Sequence, residues 1–270
     1  MLPLRSLKLR TPPASTSEAF PYSVPAVRTL GELEFPAPVT FFVGENGSGK
    51  STLLEAIAAA TGLPSVGSEL RVDADETLQA QRALATSIAL TWRGARAKRG
   101  FFLRAEDFFG FTRTIARMRV ALTSELADID EEYRDRSAWA RGLRAGPIAS
   151  SLREMEARYG VDLDAHSHGQ SFLKLFQSRF VPGGLYLLDE PEAPLSPQSQ
   201  LAFLAMLKDM AGNASQFIIA THSPILLAFP GAVIYSFDSP PVARVAYEEL
   251  EHVALTRDFL ADPMRFLRHL

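Results

Sequence analysis

The chain has 270 residues, enough to bury a substantial core. Its formal net charge of -3 is close to neutral and argues neither for nor against a polyanionic partner. It contains no cysteine, which excludes a disulfide framework, a zinc–thiolate site and a thiol nucleophile, and which fits a reducing, cytoplasmic setting.

Leu4 to Arg10 alternates apolar with polar residues and is expected to form a half-buried strand. Thr11 to Pro25, rich in Pro and Ser, is expected to be a loop, and Val24 to Phe35 to hold a short strand with Gly31 in a turn. Val39-Thr40-Phe41-Phe42-Val43 has the β-branched and aromatic content of a buried strand. Thr52 to Ala60 is Ala- and Leu-rich and reads as a helix that Gly62 and Pro64 stop. Residues 65–84 give no clear pattern. Ala85 to Trp92 and Gly100 to Arg104 read as two strands around a basic turn. Phe111 to Tyr159 is helical in composition, with a break expected at Gly142 to Pro147.

Beyond Gly169 the chain alternates between the two kinds of element. Helices are expected over Ser171–Phe180 and Gln198–Met210, and strands over Leu185–Leu188 and Gln216–Ala220. Ala232–Phe237 and Val242–Tyr247 suggest a hairpin across Pro240-Pro241, with a helical tail after it. Strands alternating with helices imply an α/β fold with a mostly parallel central sheet. An antiparallel β portion is expected at its N-terminal end. We expect one domain over residues 1–270, with a helical subdomain inserted at 111–165. The most apolar stretch, Ile225 to Phe237, is broken by Pro230 and Gly231, so no transmembrane helix is expected. A secretory signal is not expected either.

The strand at Val39 and the helix at Thr52 flank Gly44-Glu45-Asn46-Gly47-Ser48-Gly49-Lys50-Ser51, which fits the phosphate-cradling pattern G-x-x-x-x-G-K-[ST]. Glycines let several backbone N–H groups converge on one anion, and the following helix adds its positive end. Lys50 would reach the β- and γ-phosphates of ATP, and the Ser51 hydroxyl would ligate Mg²⁺. Gly44 to Thr52 are therefore the expected nucleotide-binding residues. The strand Leu185–Leu188 ends in Asp189-Glu190-Pro191. Ligands of parallel sheets sit at the strand C-termini, so Asp189 is expected beside the P-loop as a second Mg²⁺ ligand. Glu190 is placed to activate water as a general base. His222 follows the next strand and would reach the γ-phosphate from the far side. Ser167-His168-Gly169-Gln170 precedes a helix and reads either as an anion-binding turn or as an ordinary N-cap.

In this order, the P-loop, the turn Ser167-His168-Gly169-Gln170, the strand ending in Asp189-Glu190, the Pro-bearing loop after it and His222 resemble the ABC-type ATPases. The likeness is to the soluble branch that includes chromosome-maintenance and DNA-repair ATPases, and to small stand-alone bacterial AAA/ABC ATPases. It frames roughly residues 36–225. The resemblance implies ATP hydrolysis by an ATP-dependent homodimer in which Ser167, Gly169 and Gln170 of one subunit complete the γ-phosphate site of the other. Three positions depart from the family. His168 stands where a glycine is usual, and Ser196 where the loop usually ends in Asp. The customary Gln is absent, with Glu106 as the best-placed substitute. Tyr22 and Phe20 are the aromatic candidates for stacking on adenine.

Three functions fit these motifs. They are an ATP-driven dimerisation switch acting on a nucleic-acid or protein partner, a nucleotide-binding subunit of a membrane transporter, and a kinase. The departures at Glu106 and Ser196 favour the first over the second. The kinase would need neither the signature turn nor the histidine. The segment 93–119 carries Arg93, Arg96, Lys98, Arg99, Arg104, Arg113, Arg117 and Arg119, with Phe101, Phe102, Phe108, Phe109 and Phe111 between them. It reads either as a nucleic-acid contact or as a solvated basic turn beside a Phe-rich core.

Overall fold

The computed structural model describes residues 1–10, 19–66, 79–135, 137–159 and 168–268. The first half of the chain contains strand β1 (Leu4–Leu9), helix α1 (Pro25–Arg28), β2 (Glu32–Glu34), β3 (Val39–Val43), α2 (Lys50–Thr61), α3 (Gln79–Ser87), β4 (Ile88–Trp92) and β5 (Gly100–Arg104). Two long helices follow, α4 (Ala105–Glu132) and α5 (Ala138–Tyr159), and then α6 (His168–Arg179). The α/β alternation resumes with β6 (Leu185–Asp189), α7 (Pro197–Gly212), β7 (Gln216–Ala220), α8 (Pro224–Leu227), β8 (Val233–Ser236) and β9 (Ala243–Val245). A 3-10 turn (Tyr247–Glu249), α9 (Glu251–Ala261) and α10 (Pro263–Leu267) complete the described chain.

Two sheets form. The larger has the order β5-β6-β7-β3-β8-β9 and the smaller the order β2-β1-β4. In the larger sheet β5, β6, β7, β3 and β8 run parallel, and β9 pairs antiparallel with β8. Every residue of β3, β6 and β7 is buried. A parallel strand covered on both faces must be apolar throughout, which is why these sequences run without alternation. Successive side chains point to opposite faces. Phe42, Leu187 and Ile218 therefore join one core with Leu53 and Ile57 of α2. Phe41, Leu188 and Ile219 join another with Phe172, Phe176 and Phe203. The second core is aromatic, with Phe176 centred 4.6 Å from Phe172 and 4.9 Å from both Phe180 and Phe203.

The smaller sheet is antiparallel and is clamped to the larger by Gln216 and by the Tyr235 hydroxyl, which bonds the Glu34 backbone. Buried Gln216, at the start of β7, accepts the Leu4 N–H at 2.8 Å and donates to the Leu4 carbonyl at 2.9 Å. Satisfying both halves of a buried amide is what makes its burial tolerable.

Several local expectations change. Residues 25–28 are helical, with Pro25 at the first helical position, and only Glu32–Glu34 is a strand. Residues 85–87 end helix α3 rather than opening a strand. The two strands around the basic turn belong to different sheets, since β4 pairs with β1 and β5 with β6. The helical pair has its interruption between Glu132 and Ala138, and α5 runs straight through Gly142, Gly146 and Pro147. Pro147 is exposed, so the carbonyl it leaves unbonded can turn to water. The helices begin at Ala105, six residues before the expected 111, directly from the end of β5. Residues 160–167 lie outside the described residues.

Candidate functional site

The loop between β3 and α2 has Gly44, Gly47 and Gly49 at positive φ, and α2 starts without a side-chain cap. Its first N–H groups are thus left to other partners. Lys50 is only 4% exposed and turns its ammonium back into the loop. It donates to the Gly44 carbonyl and, at 2.9 Å, to the Glu45 carbonyl. Burial lowers the Lys50 pKa, against the opposing pull of Glu190 and Asp189. The Ser48 hydroxyl is shielded from water and has no hydrogen-bond partner. Thr52 lies in the first turn of α2.

Asp189 closes the site from the other side. Strand β7 lies between β3 and β6, so the contact is made by α2 crossing over the sheet, not by neighbouring strands. The Ser51 hydroxyl donates to Asp189 Oδ1 at 3.1 Å. Asp189 is 7% exposed, and burial pushes its carboxyl up to about 7, with the Ser51 hydrogen bond and Arg104 working against that rise. A hydroxyl and a buried carboxylate meeting at the head of a P-loop helix is a donor set of hard oxygens suited to Mg²⁺.

Glu190 carries φ of 48°, an uncommon left-handed backbone for a residue other than glycine. Its N–H donates to the Ala220 carbonyl at 2.9 Å, which fixes it to the end of β7. Its side chain is half exposed and its Oε1 lies 3.8 Å from His222 Nε2. That imidazole nitrogen is shielded and has no hydrogen-bond partner. Burial first, and then Lys50, lower the His222 pKa, so the ring is neutral near pH 7. Glu45, Asn46, Glu190 and His222 line one cavity of about 530 Å³. P-loop, Asp189, Glu190 and His222 are thus brought together.

The start of α6 lies apart from this cavity. Ser167 lies outside the described residues. Gly169 is buried at the start of α6, where a Cβ would come within 3.0 Å of the Pro194 carbonyl and 3.3 Å of Ser199 Oγ. A glycine here lets α6 seat on the loop that follows Glu190. Gln170 is exposed, and neither residue lines the cavity. Ser196, where the family usually has Asp, is the N-cap of α7 and accepts the Ser199 N–H at 3.2 Å.

Other candidates are placed less centrally. Glu106 points outward, its carboxylate 3.6 Å from Arg104 Nη1. Arg104 itself pairs in register with Asp189 and reaches Glu55 at 3.1 Å. Tyr22 is buried, with its hydroxyl bonded to Ala83 and Ser87, whereas Phe20 is exposed. In the basic segment, Phe101, Phe102 and Phe108 are core residues and offer no stacking surface. Arg93 is spent on the Leu4 and Phe35 carbonyls. Lys98, Arg99, Arg113 and Arg117 are exposed.

Two contributors escaped the sequence. Asp238, just after β8, accepts the Glu45 N–H at 2.7 Å and so buttresses the P-loop. Glu192, in the loop after Glu190, accepts the His222 N–H at 2.8 Å. Glu192 could have been singled out from its place in Asp-Glu-Pro-Glu, whereas no local signal marks Asp238.

Comparison with known proteins agrees with this arrangement. A family model described as "AAA domain" matches residues 27–133, and one described as "AAA domain, putative AbiEii toxin, Type IV TA system" matches residues 172–228. No curated protein matches. Among solved structures, the Smc head domain with an extended coiled coil bound to the C-terminal domain of ScpA, from Pyrococcus furiosus, is 12% identical. It covers 96% of this chain and 100% of its own, with a TM-score of 0.45. The SMC head domain from Thermotoga maritima is 16% identical over 91% of this chain and 100% of its own, with a TM-score of 0.45. The ADP conformation of an ATP-binding cassette of an ABC transporter is 17% identical over 97% of this chain and 96% of its own, with a TM-score of 0.48. The two AAA-domain matches, each over less than half of the chain, and the strand–P-loop–helix architecture mark the chain as a P-loop protein similar to AAA-domain ATPases.

Proposed function

We propose that this chain binds Mg-ATP, hydrolyses it, and works as an ATP-driven dimerisation switch on a nucleic-acid or protein partner. The observation that carries the reading is the 3.1 Å contact of Ser51 with Asp189, made beside a buried Lys50 and a cavity that Glu190 and His222 share. Ser51 and Asp189 would hold Mg²⁺, which would supply charge neutralisation to the phosphates. The backbone from Gly44 to Gly49 would wrap the phosphate chain. Lys50 would exchange its two carbonyl partners for phosphate oxygens. Glu190 would take the proton of the attacking water, and neutral His222 would donate a hydrogen bond at the γ-phosphate side.

Gly169 and Gln170 do not line the cavity of their own chain, which supports a reading in which they contact the γ-phosphate of a second copy. Glu190→Gln keeps shape and removes the base. It should bind Mg-ATP and lower hydrolysis by about 10²–10⁴-fold. Light scattering should find this variant dimeric with Mg-ATP and monomeric without it. Ser167→Arg added to it should restore the monomer while ATP still binds. A Glu190→Gln protein that holds ATP and stays monomeric refutes the switch, and one that hydrolyses at the normal rate refutes the base.

A further inference from the structure

His222 is useful only if its ring stays opposite Glu190, and the ring itself makes no hydrogen bond through Nε2 that would hold it there. The holding is done on its backbone. Glu192 Oε1 accepts the His222 N–H at 2.8 Å. Thr221 Oγ1 accepts the Ser223 N–H at 3.0 Å. Ser223 caps α8 by accepting the Leu226 N–H at 3.2 Å, and its hydroxyl donates to Gln200. The carboxylate thus holds His222 directly, and the Thr221–Ser223 bond and the α8 cap hold its two chain neighbours.

The same carboxylate is rigidly placed relative to Glu190. The Ala193 N–H donates to the Glu190 carbonyl at 3.0 Å and the Leu195 N–H to the Glu192 carbonyl at 2.8 Å, so the loop is a run of tight turns. Glu190 is tied to Ala220 through its own N–H. The contacts close a ring that runs from Glu190 through Glu192 to His222 and back along β7. Burial raises the Glu192 pKa. Its second oxygen is shielded and has no hydrogen-bond partner.

We propose that Glu192 is a positioning residue for hydrolysis: it locks the Thr221–His222–Ser223 turn onto the loop that follows Glu190 and so keeps the imidazole and the base at working distance. The inference rests on the reading of Glu190 and His222 given above. It assigns Glu192 no contact with nucleotide or water.

Replacement in the full chain tests it. Glu192→Ala removes the acceptor and should lower kcat by about 10²-fold, the effect of a misplacement of about 1 Å, while leaving the KM for ATP within about twofold. Glu192→Gln keeps an acceptor oxygen and should restore kcat to near the parent value. NMR titration of the His222 ring gives a readout that a general loss of packing would not produce. In Glu192→Ala the imidazole should return toward its ordinary pKa, because the turn leaves its shielded place, and in Glu192→Gln it should not. A folded Glu192→Ala protein with the parent kcat, or with an unmoved His222 titration, overturns the proposal. If Glu192→Ala does not fold, Thr221→Val removes the acceptor of the Ser223 N–H and so loosens the same turn at nearly constant volume. It must then move the His222 titration in the same direction, and no movement overturns the proposal. Glu190→Gln run in parallel separates the two ideas. Normal hydrolysis by that variant removes the base assignment, and the His222 titration still decides whether Glu192 holds the turn.

Discussion

Asp189→Asn is the most informative single change at the site. It keeps the shape of the side chain and an oxygen for the Ser51 hydroxyl, and it removes the charge. In the metal-free protein, burial pushes Asp189 from its ordinary 3.8 up to about 7. The native state therefore holds the proton more tightly than the unfolded chain does. For a carboxyl raised in this way, the side chain's contribution to stability is fullest below about pH 4 and is lost as the pH climbs to 7, where the native protein must carry a buried charge. The span from 3.8 to about 7 corresponds to about 4 kcal/mol at most. Asn has no such dependence, so the difference between the two proteins isolates the residue from every other titrating group. Urea denaturation of both, in a chelator and at steps between pH 4 and 8, should find the variant gaining on the parent by about 2–4 kcal/mol and then levelling off. Mg-ATP should reverse the order, since a cation takes the place of the proton only in the parent. A pH-independent difference refutes the reasoning. So does a parent that gains on the variant as pH rises, which would mean that Arg104 outweighs burial.

Three further outcomes are expected. Lys50→Ala should abolish measurable ATP binding in calorimetry, because it removes the only side-chain cation within the loop, and an unchanged affinity would dismiss the phosphate cradle. Gly100→Ala should be among the most damaging changes in the chain. The added Cβ would fall 1.7 Å from the Leu185 carbonyl oxygen at a φ of +124°, with an expected loss above about 4 kcal/mol, and a parent-like urea midpoint would count against the β5–β6 register. Changing Lys98, Arg99 and Arg113 to Glu should weaken and flatten any salt-sensitive binding of DNA or RNA, and a parent protein with no such binding leaves these residues as a solvated basic face.

The P-loop and Asp189 half of the candidate site was legible because its signals are local. A glycine loop between an apolar strand and an Ala-rich helix, and a second apolar strand ending in two acids, each announce their geometry within a few residues. The order of strands was legible only in part. His222 was expected beside the Asp189 strand, and β7 does pair with β6. That β7 also pairs with β3, on its other side, follows from packing between distant segments. Asp238 was missed for the same reason, since it meets Glu45 only when β8 pairs with β3. The break expected at Gly142 to Pro147 failed differently. Glycine and proline disfavour a helix by propensity, but on an exposed face, with a partner helix along the other, tertiary contact overrides the preference. Of the two readings of the basic segment's aromatics, the Phe-rich core holds for Phe101 and Phe108, which pack against β6 and α6.

The strand order also sets when the cradle can come into being. β3 is complete by Val43, yet its only sheet neighbours are β7 and β8, which lie beyond residue 215. A nascent chain emerges from its N-terminal end. For most of synthesis Val39-Thr40-Phe41-Phe42-Val43 is therefore an unpaired run of β-branched and aromatic residues, without a charge or a proline. Such a run pairs readily with copies of itself. The smaller sheet gives no shelter, because its order β2-β1-β4 excludes β3. Non-local closure of this kind is slow. The interval between the making of the P-loop strand and the arrival of Gln216 is the window in which this chain is most exposed to aggregation, and the nucleotide has nothing to bind until that window has closed.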